Sequence, residues 1–419
     1  MSALILVVFM GAAVAAMPIA HALLVAAMAA VASTDRVPLD VVVQQMVAQV
    51  QSFPLIAIPF FMLTGSLMMG GKLGEALVGV LSALIGRYHG GPAQVGVLSS
   101  TLFGGVSGSA VADASAIGSL MIPWHKRLGY PAAFSAATLA AAATIDILIP
   151  PSIPLILFAL TANASIASLF VAGVLPGLLL CGGFMFACWW VGRRRNFPRD
   201  TSPFNGAAFR RHLLYALPAV VLPLLIIVFL RFGIATPTEV AVLSTLYAGL
   251  VSAVMYRDLT WSRLNAAIVH AGLATGVVLL VIMASSAIGW LLTFDQTPQG
   301  IAHWVQENVH AKWLVILLMN LMMLFLGMFI DLPAAVLLLA PVFVPLAQSI
   351  GMDMTQLGVM MVVNLAIGLY TPPVGTTLFI TSALAKVKVG QTVRELAPFY
   401  LVAFAVLGLV SYVPASILK

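Results

Sequence analysis

Charge is what this sequence has least of. Only 19 lysines and arginines and 13 aspartates and glutamates occur in 419 residues, 8% of the chain, where water-soluble domains carry roughly 25%. With 62% hydrophobic residues and a mean hydropathy of +1.10, too little polar surface exists to cover a soluble body, and a polytopic membrane protein is what remains. Apolar runs of about 18 to 25 residues, each sufficient for one span, recur along the chain, and no hydrophilic block longer than about 20 residues separates them. A sizeable soluble domain is excluded. Cysteine is nearly absent: Cys181 and Cys188 lie seven apart on one predicted helix face, without CxxC spacing or neighbouring histidines, so no redox pair or transition-metal site is expected. Residues Met1 to Ala32 lack the leading positive charge of a cleaved signal and read as a retained membrane segment.

Catalytic motifs are missing as well. Gly70-Gly71-Lys72 lacks the earlier glycine and the following hydroxyl of a phosphate loop, and neither HExxH nor GxSxG occurs. The formal charge of +6 sits in short loops, where it marks a membrane side and says nothing of nucleic acid. An enzyme would have to use Asp113, Asp146 and Asp331 as acids or metal ligands, and these are far apart in sequence and have no histidine neighbours. The chain is expected not to be an enzyme.

Basic residues give the orientation. Arg87 with His89, His125-Lys126-Arg127, Arg193 to Arg195 with Arg199, Arg210 and Arg211, then Arg257, Arg263, Lys386, Lys388 and Arg394 are expected on the cytoplasmic side. Between Arg87 and Lys126 an apolar stretch is broken at Ser107-Gly108-Ser109, with no charged loop at the break. Small residues can also mark a close helix contact. A re-entrant hairpin over 92–123, with its tip near the midplane, accounts better for two basic flanks on one side. A second apolar stretch, 313–348, is broken at Gly327 to Pro333, and its flanks, Asp295 to His310 and Asp353, lack the basic excess. That hairpin is expected to open to the opposite side.

Each hairpin is followed by a helix with a double-proline break, over 132–160 at Pro150-Pro151 and over 354–385 at Pro372-Pro373. Adjacent prolines remove two N–H donors and release carbonyls from helical bonding. At an offset of 222 residues Gly105 falls on Gly327, Ser109 on Asp331, Pro123 on Pro345, Gly129 on Gly351 and Pro150-Pro151 on Pro372-Pro373. Opposite charge bias at collinear breaks is the pattern of an inverted-repeat secondary transporter. The expected organisation is one integral-membrane unit over 1–419: repeat 1 at 53–163, connecting helices at 164–264, repeat 2 at 265–385 and a C-terminal scaffold helix at 386–419.

Released carbonyls at both breaks suit a hard cation such as sodium, and half-helix N-termini at the same depth suit an anionic solute. Asp146 and Asp331 lie at predicted mid-membrane positions, where an unpaired carboxylate costs about 2.5 to 3.5 kcal/mol, so each must be paired, protonated or cation-bound. Asp113 is either a structural acid bonding the hairpin backbone or a ligand. Glu239, after Pro237, reads as a helix-start acid. His21 and His270, alone in apolar contexts, read as hydrogen-bonded core residues.

The strings GGVSGSAVADASAIGSLMIP at Gly104 to Pro123, IPPSIPLILF at Ile149 to Phe158, NLAIGLYTPPVGTTLF at Asn364 to Phe379 and IPFFMLTGSLMMGG at Ile58 to Gly71 resemble the large membrane subunit of tripartite ATP-independent periplasmic (TRAP) transporters. The resemblance implies an all-helical, elevator-type sodium symporter with two re-entrant hairpins and two broken helices. It further implies a bacterial inner-membrane location, a separate small four-span membrane subunit, a periplasmic solute-binding protein and a carboxylate-type organic anion as solute. On that resemblance the cation ligands would be Ser107, Gly108, Ser109, Thr144 and Ile145, with Asp146 beside them, in repeat 1, and Gly327, Asp331, Gly368, Thr371, Pro372 and Gly375 in repeat 2. Ser109, Asp331 and Thr376 would meet the solute, and sodium would be the coupling ion, with no other cofactor. One departure stands out: Asp146-Ile147 replaces a common Gly-Pro, which puts the charge of the first cation site in question. The rival within transport is a stand-alone sodium/carboxylate symporter.

Overall fold

Glycine and proline breaks divide this apolar chain into helices, several too short to cross a bilayer. The computed structural model describes residues 1–15, 17–34, 37–69, 72–200, 205–309 and 311–413; Gly70-Gly71, His310 and the last part of the expected C-terminal segment, 414–419, lie outside them. Among the described residues the regular structure is entirely helical. Helices α1 (Ser2–Val14) and α2 (Ile19–Ala32) pack on each other, so the expected N-terminal membrane segment is two short helices. α3 (Leu39–Val50) bends by 58° through a 3-10 turn at Phe53–Ile56 into α4 (Ala57–Met69), and α5 (Lys72–Ile85) follows.

The first hairpin is α6 (Gly91–Ser107) and α7 (Ala110–Arg127). The first broken helix is α8 (Ala132–Ala142), a 3-10 turn at Ala143–Ile145, an irregular stretch, and α9 (Ile153–Ala162). Three helices connect the halves: α10 (Ile166–Arg194), α11 (Gly206–Arg231) and α12 (Pro237–Leu250), the last running into a π turn at Val251–Tyr256. The second half comprises α13 (Trp261–Phe294), α14 (Thr297–Asn308), the hairpin α15 (Lys312–Gly327) and α16 (Leu332–Ser349), and the broken helix α17 (Met354–Gly368) and α18 (Thr376–Ala385). The segment expected as one C-terminal helix is two, α19 (Val389–Glu395) and α20 (Ala397–Tyr412), bent by 58°; Pro398, near the start of α20, cannot donate the N–H that a continuous helix would need.

Helix bounds repeat at the 222-residue offset. α7 falls on α16 residue for residue, α8 and α17 start at matched positions, and α9 and α18 differ by one residue. The Pro150-Pro151 and Pro372-Pro373 bonds are both cis.

Polar contacts sort the helix ends into two groups. Lys126 Nζ donates to the Ala385 carbonyl at 2.5 Å, Arg195 pairs with Glu395 at 2.7 Å, Arg199 meets His89, and His125 Nε2 lies 2.9 Å from the Pro92 carbonyl. These bring the open ends of α6 and α7 together with the ends of α10 and α18. At the other pole Lys312 Nζ reaches the Gly351 carbonyl at 3.3 Å, Tyr412 Oη donates to the Trp313 carbonyl at 3.2 Å, and Gln356 Nε2 donates to the carbonyls of Val410, Ser411 and Val413. The open ends of α15 and α16 lie there, with the start of α17. Each hairpin thus returns to the pole it left, the two use opposite poles, and α8–α9 runs opposite to α17–α18.

Rings from α8, α10, α20 and the segments just before α8 and after α10 pack in series: Tyr130 on Phe197, Phe197 on Phe134, Phe134 on Phe399 and Phe399 on Phe184, at centroid distances of 5.0 to 6.0 Å. Cys181 and Cys188 are free and buried. His21 and His270 are exposed, not core, and His270 pairs with the Ser66 hydroxyl at 3.1 Å. An apolar neighbourhood does not separate core from surface here, because the outer face of a membrane protein is apolar too.

Candidate functional site

Two hairpin tips and two helix breaks meet in the middle of the molecule. The first tip is formed because Gly108 takes the left-handed conformation, φ +62°, which ends α6, while Ser109 caps α7 by accepting from the Ala112 N–H. A side chain at Gly108 would run into the Pro151 carbonyl, and one at Gly104 would lie 2.6 Å from Asp146 Cα. The hairpin therefore seats its backbone directly on the break of α8–α9. Asp146 fastens it: its carboxylate accepts from Ser107 Oγ at 2.6 Å and from the backbone N–H groups of Gly108 and Ser109, both at 3.0 Å. Charge-assisted bonds of this kind are about twice as strong as neutral ones.

Asp146, not Asp113, is consequently the acid that organises the tip. Asp113 is fully buried, and neither of its oxygens has a hydrogen-bond partner. Thr144 turns away from the tip, its hydroxyl donating to the Ala141 carbonyl at 2.7 Å, and the Ile145 carbonyl accepts from the N–H groups of Leu148 and Ile149. Of the expected first-repeat ligands, the structure brings together Ser107, Gly108, Ser109 and Asp146.

In the second repeat the seating is closer still. A side chain on Gly368 would overlap the Gly327 carbonyl, and the Val374 N–H donates to the Met328 carbonyl at 3.2 Å across the hairpin–break contact. A cavity of about 10 Å³ is left there, lined among others by Gly327, Asp331, Gly368, Gly375 and Thr376. Asp331 stands at the N-cap of α16 without a capping hydrogen bond, and Thr376 Oγ1 is buried without a partner. The space is of the order that holds one water-sized occupant, about 10 to 15 Å³. Thr371 and Pro372 are outside this lining; the Thr371 hydroxyl donates to the Ile367 carbonyl at 2.6 Å. Thr376 faces the small cavity and is not among the residues lining the larger one.

That larger cavity, about 300 Å³, lies between the tips. Ser109 and Asp331, aligned by the internal offset, line it together, with Ile147 and Leu369 from the breaks and Met62 of α4 and Val278 of α13 on the far wall. Asp331 borders both cavities. Such a chamber can take a small solute beside a single bound ion.

Residues 6–416 match the family described as "Tripartite ATP-independent periplasmic transporter, DctM component". The chain belongs to this family. It is 54% identical to the Sinorhizobium fredii protein y4mL over 99% of both chains. It is 37% identical to the C4-dicarboxylate TRAP transporter large permease protein DctM of Pseudomonas aeruginosa, covering 87% of this chain and 85% of that one. Among solved structures, the YdaH transporter of Alcanivorax borkumensis shares the fold, with a TM-score of 0.62, 15% identity and coverage of 87% and 86%. This DctM-family chain is therefore a multi-pass membrane transport component, and its characterised relatives are permeases, not enzymes. Among the described residues no group of three or more His, Cys, Asp or Glu is placed to hold a metal ion.

Sequence reasoning missed two polar ties in the DctM-family core. Asn364 Nδ2 donates to the side-chain and backbone oxygens of Asn320, at 2.8 and 3.0 Å, and Asn320 Nδ2 reaches Ser411 Oγ at 3.0 Å, joining α15, α17 and α20. Thr377 Oγ1 shares its one proton between the Leu369 and Ala140 carbonyls, at 2.9 and 3.0 Å. Asn320 was a signal available in the sequence, as an amide inside an apolar helix that has to find a partner there.

Proposed function

We propose that this chain is the large permease of a sodium-coupled TRAP importer for a small carboxylate-type organic anion. It would act in a bacterial inner membrane with a small four-span membrane subunit and a periplasmic solute-binding protein. The observation that carries this reading is the cavity shared by Ser109 and Asp331, one residue from each hairpin tip. The N-termini of α7 and α16 converge on it, and helix N-termini favour negative charge. Asp331 opposes an anion until a cation neutralises it. A sodium ion in the small cavity beside Asp331, near the Thr376 hydroxyl and the carbonyls of Gly327 and Gly368, removes that opposition, which gives a physical reason for ion and solute to bind together.

The hairpins are re-entrant in this reading, since non-helical backbone at membrane depth has to be buried in protein or line a cavity. Hairpins and broken helices move as one body, carrying the chamber past the wall supplied by α4 and α13 in an elevator movement. The family description and the named dicarboxylate permease support the tripartite assembly and the class of solute.

Uptake by the reconstituted chain with its small subunit and binding protein should require an inward sodium gradient and show a Hill coefficient for sodium above one. Equal uptake with choline replacing sodium at matched voltage overturns the sodium coupling. Comparable uptake by the chain alone overturns the tripartite assignment and favours a stand-alone symporter.

A further inference from the structure

The cavity between the tips, about 300 Å³, is small beside ligand pockets in general, which run from about 300 to 1,000 Å³. Of the described residues that line it, only Ser109 and Asp331 carry polar side chains. The wall facing the tips is formed by Met62 of α4 with Ala274, Val277 and Val278 of α13, and the breaks add Ile147, Ile153 and Leu369. Polar groups near that wall are engaged outside the cavity. The Thr275 hydroxyl is turned onto Met62 Sδ at 3.6 Å, and His270, one turn before Ala274, pairs with the Ser66 hydroxyl. No arginine, lysine, histidine or amide side chain belongs to the lining among the described residues.

The two tips also differ in the donors they present. At the first, the Ser109 N–H is taken by Asp146 at 3.0 Å and the Ala112 N–H points at Ser109 Oγ. The N–H groups of Ala110 and Val111, the first two of α7, have no acceptor inside their helix, and both residues line the cavity. Ser109 accepts through its oxygen and keeps its proton to donate. At the second tip the matching second position of α16 is Pro333, which has no N–H, and the side chain beside it is the acid Asp331. With a sodium ion next to it Asp331 is neutral, which removes repulsion without supplying net positive charge. The chamber thus offers a seat for one carboxylate, on the first tip. A second carboxylate, or a row of hydroxyls, would give up its water for a wall without partners.

We propose that the solute is a small monocarboxylate with an apolar body. Its carboxylate lies on the Ala110 and Val111 N–H groups and the Ser109 hydroxyl, and its hydrocarbon lies against Met62, Ala274 and Val278. This rests on the chamber reading above and narrows its solute class, setting aside dicarboxylates and polyhydroxylated sugar acids. The residues of the wall then determine specificity, because the tip donors would serve any carboxylate.

The test is calorimetric binding to the purified complex of this chain with its small subunit, in sodium and in choline, with three six-carbon probes: 4-methylpentanoate, adipate and gluconate. In sodium, 4-methylpentanoate should bind about tenfold or more tighter than either other probe. Met62→Gln, which keeps the length of the side chain and places an amide on the wall, should reduce that preference about tenfold, or about 1.4 kcal/mol. Ser109→Ala should weaken 4-methylpentanoate without restoring adipate. Adipate or gluconate binding as tightly as 4-methylpentanoate to the wild type overturns the proposal. So does 4-methylpentanoate binding that neither variant alters, since the probe is then held elsewhere. Equal binding in choline overturns the sodium coupling and leaves the solute class standing, whereas no binding of any probe in sodium overturns the chamber reading and this proposal with it.

Discussion

The Thr377 hydroxyl donates to the Ala140 carbonyl at 3.0 Å, a bond between the broken helix of one repeat and that of the other. The same hydroxyl also reaches the Leu369 carbonyl in its own break, so one side chain joins both broken helices, and Leu369 lines the 300 Å³ cavity. Replacement by valine keeps the volume and removes the donor. Thr377→Val is expected to destabilise the protein by about 1 kcal/mol, read as a lower midpoint of thermal unfolding in detergent. A midpoint equal to wild type would show that α8 and α18 hold together without this bond.

Asp331 and Glu239 are both helix-start acids with different partners. Glu239 completes a capping box with Thr236, accepting its backbone N–H at 2.7 Å, whereas Asp331 makes no capping hydrogen bond and borders two cavities. Asp331→Asn should lower sodium affinity about tenfold or more, equivalent to about 1.4 kcal/mol, with normal membrane insertion. Glu239→Gln should transport at close to the wild-type rate. Sodium titrations of uptake on the two variants check this, and the reverse ranking would move the site away from the tips.

Gly368 and Gly390 provide a paired test of close approach. A methyl group on Gly368 meets the Gly327 carbonyl, while around Gly390 nothing lies within 4 Å. Gly368→Ala should push the second hairpin off its break, costing about 1 to 3 kcal/mol as overpacking does, with transport lost. Gly390→Ala should be nearly silent in both unfolding and uptake.

The Asn320–Asn364 pair lies outside the lining of both cavities and predicts an effect on stability alone. Asn320→Leu strips Asn364 of its side-chain acceptor inside the bundle and leaves it only the Asn320 backbone carbonyl, and the loss of one such hydrogen bond costs about 0.5 to 1.5 kcal/mol. The unfolding midpoint should fall while the sodium affinity of the surviving folded protein is unchanged. A shift in sodium affinity would mean that this tie reaches the ion site.

The breaks were legible in the sequence because glycine and proline act on local backbone geometry: the Ser107–Ser109 and Gly327–Pro333 interruptions and both Pro-Pro pairs appear where they were expected, and helix bounds follow the 222-residue offset. The roles of acids within the site were not legible. Which of Asp113 and Asp146 holds the tip depends on how close α6 approaches the α8–α9 break, and that is set by Gly104, whose spacing carries no sign of its partner. Thr376 lines the smaller cavity and not the larger one, a placement set by the fold of the break and not by local sequence. His21 and His270 were misplaced because burial in protein and exposure to lipid look alike in an apolar sequence.

At the 222-residue offset Asp146 stands where the second repeat has Gly368, and this exchange bears on resting populations. In a protein built from two identical inverted halves, swapping the conformations of the halves turns an inward-facing state into an outward-facing one of equal energy. A carboxylate fastened to one tip and a glycine at the other remove that degeneracy. In the elevator reading proposed above, the two end states of this permease then differ in free energy even with no solute, no gradient and no partner bound, and the empty carrier has a preferred side on which to wait.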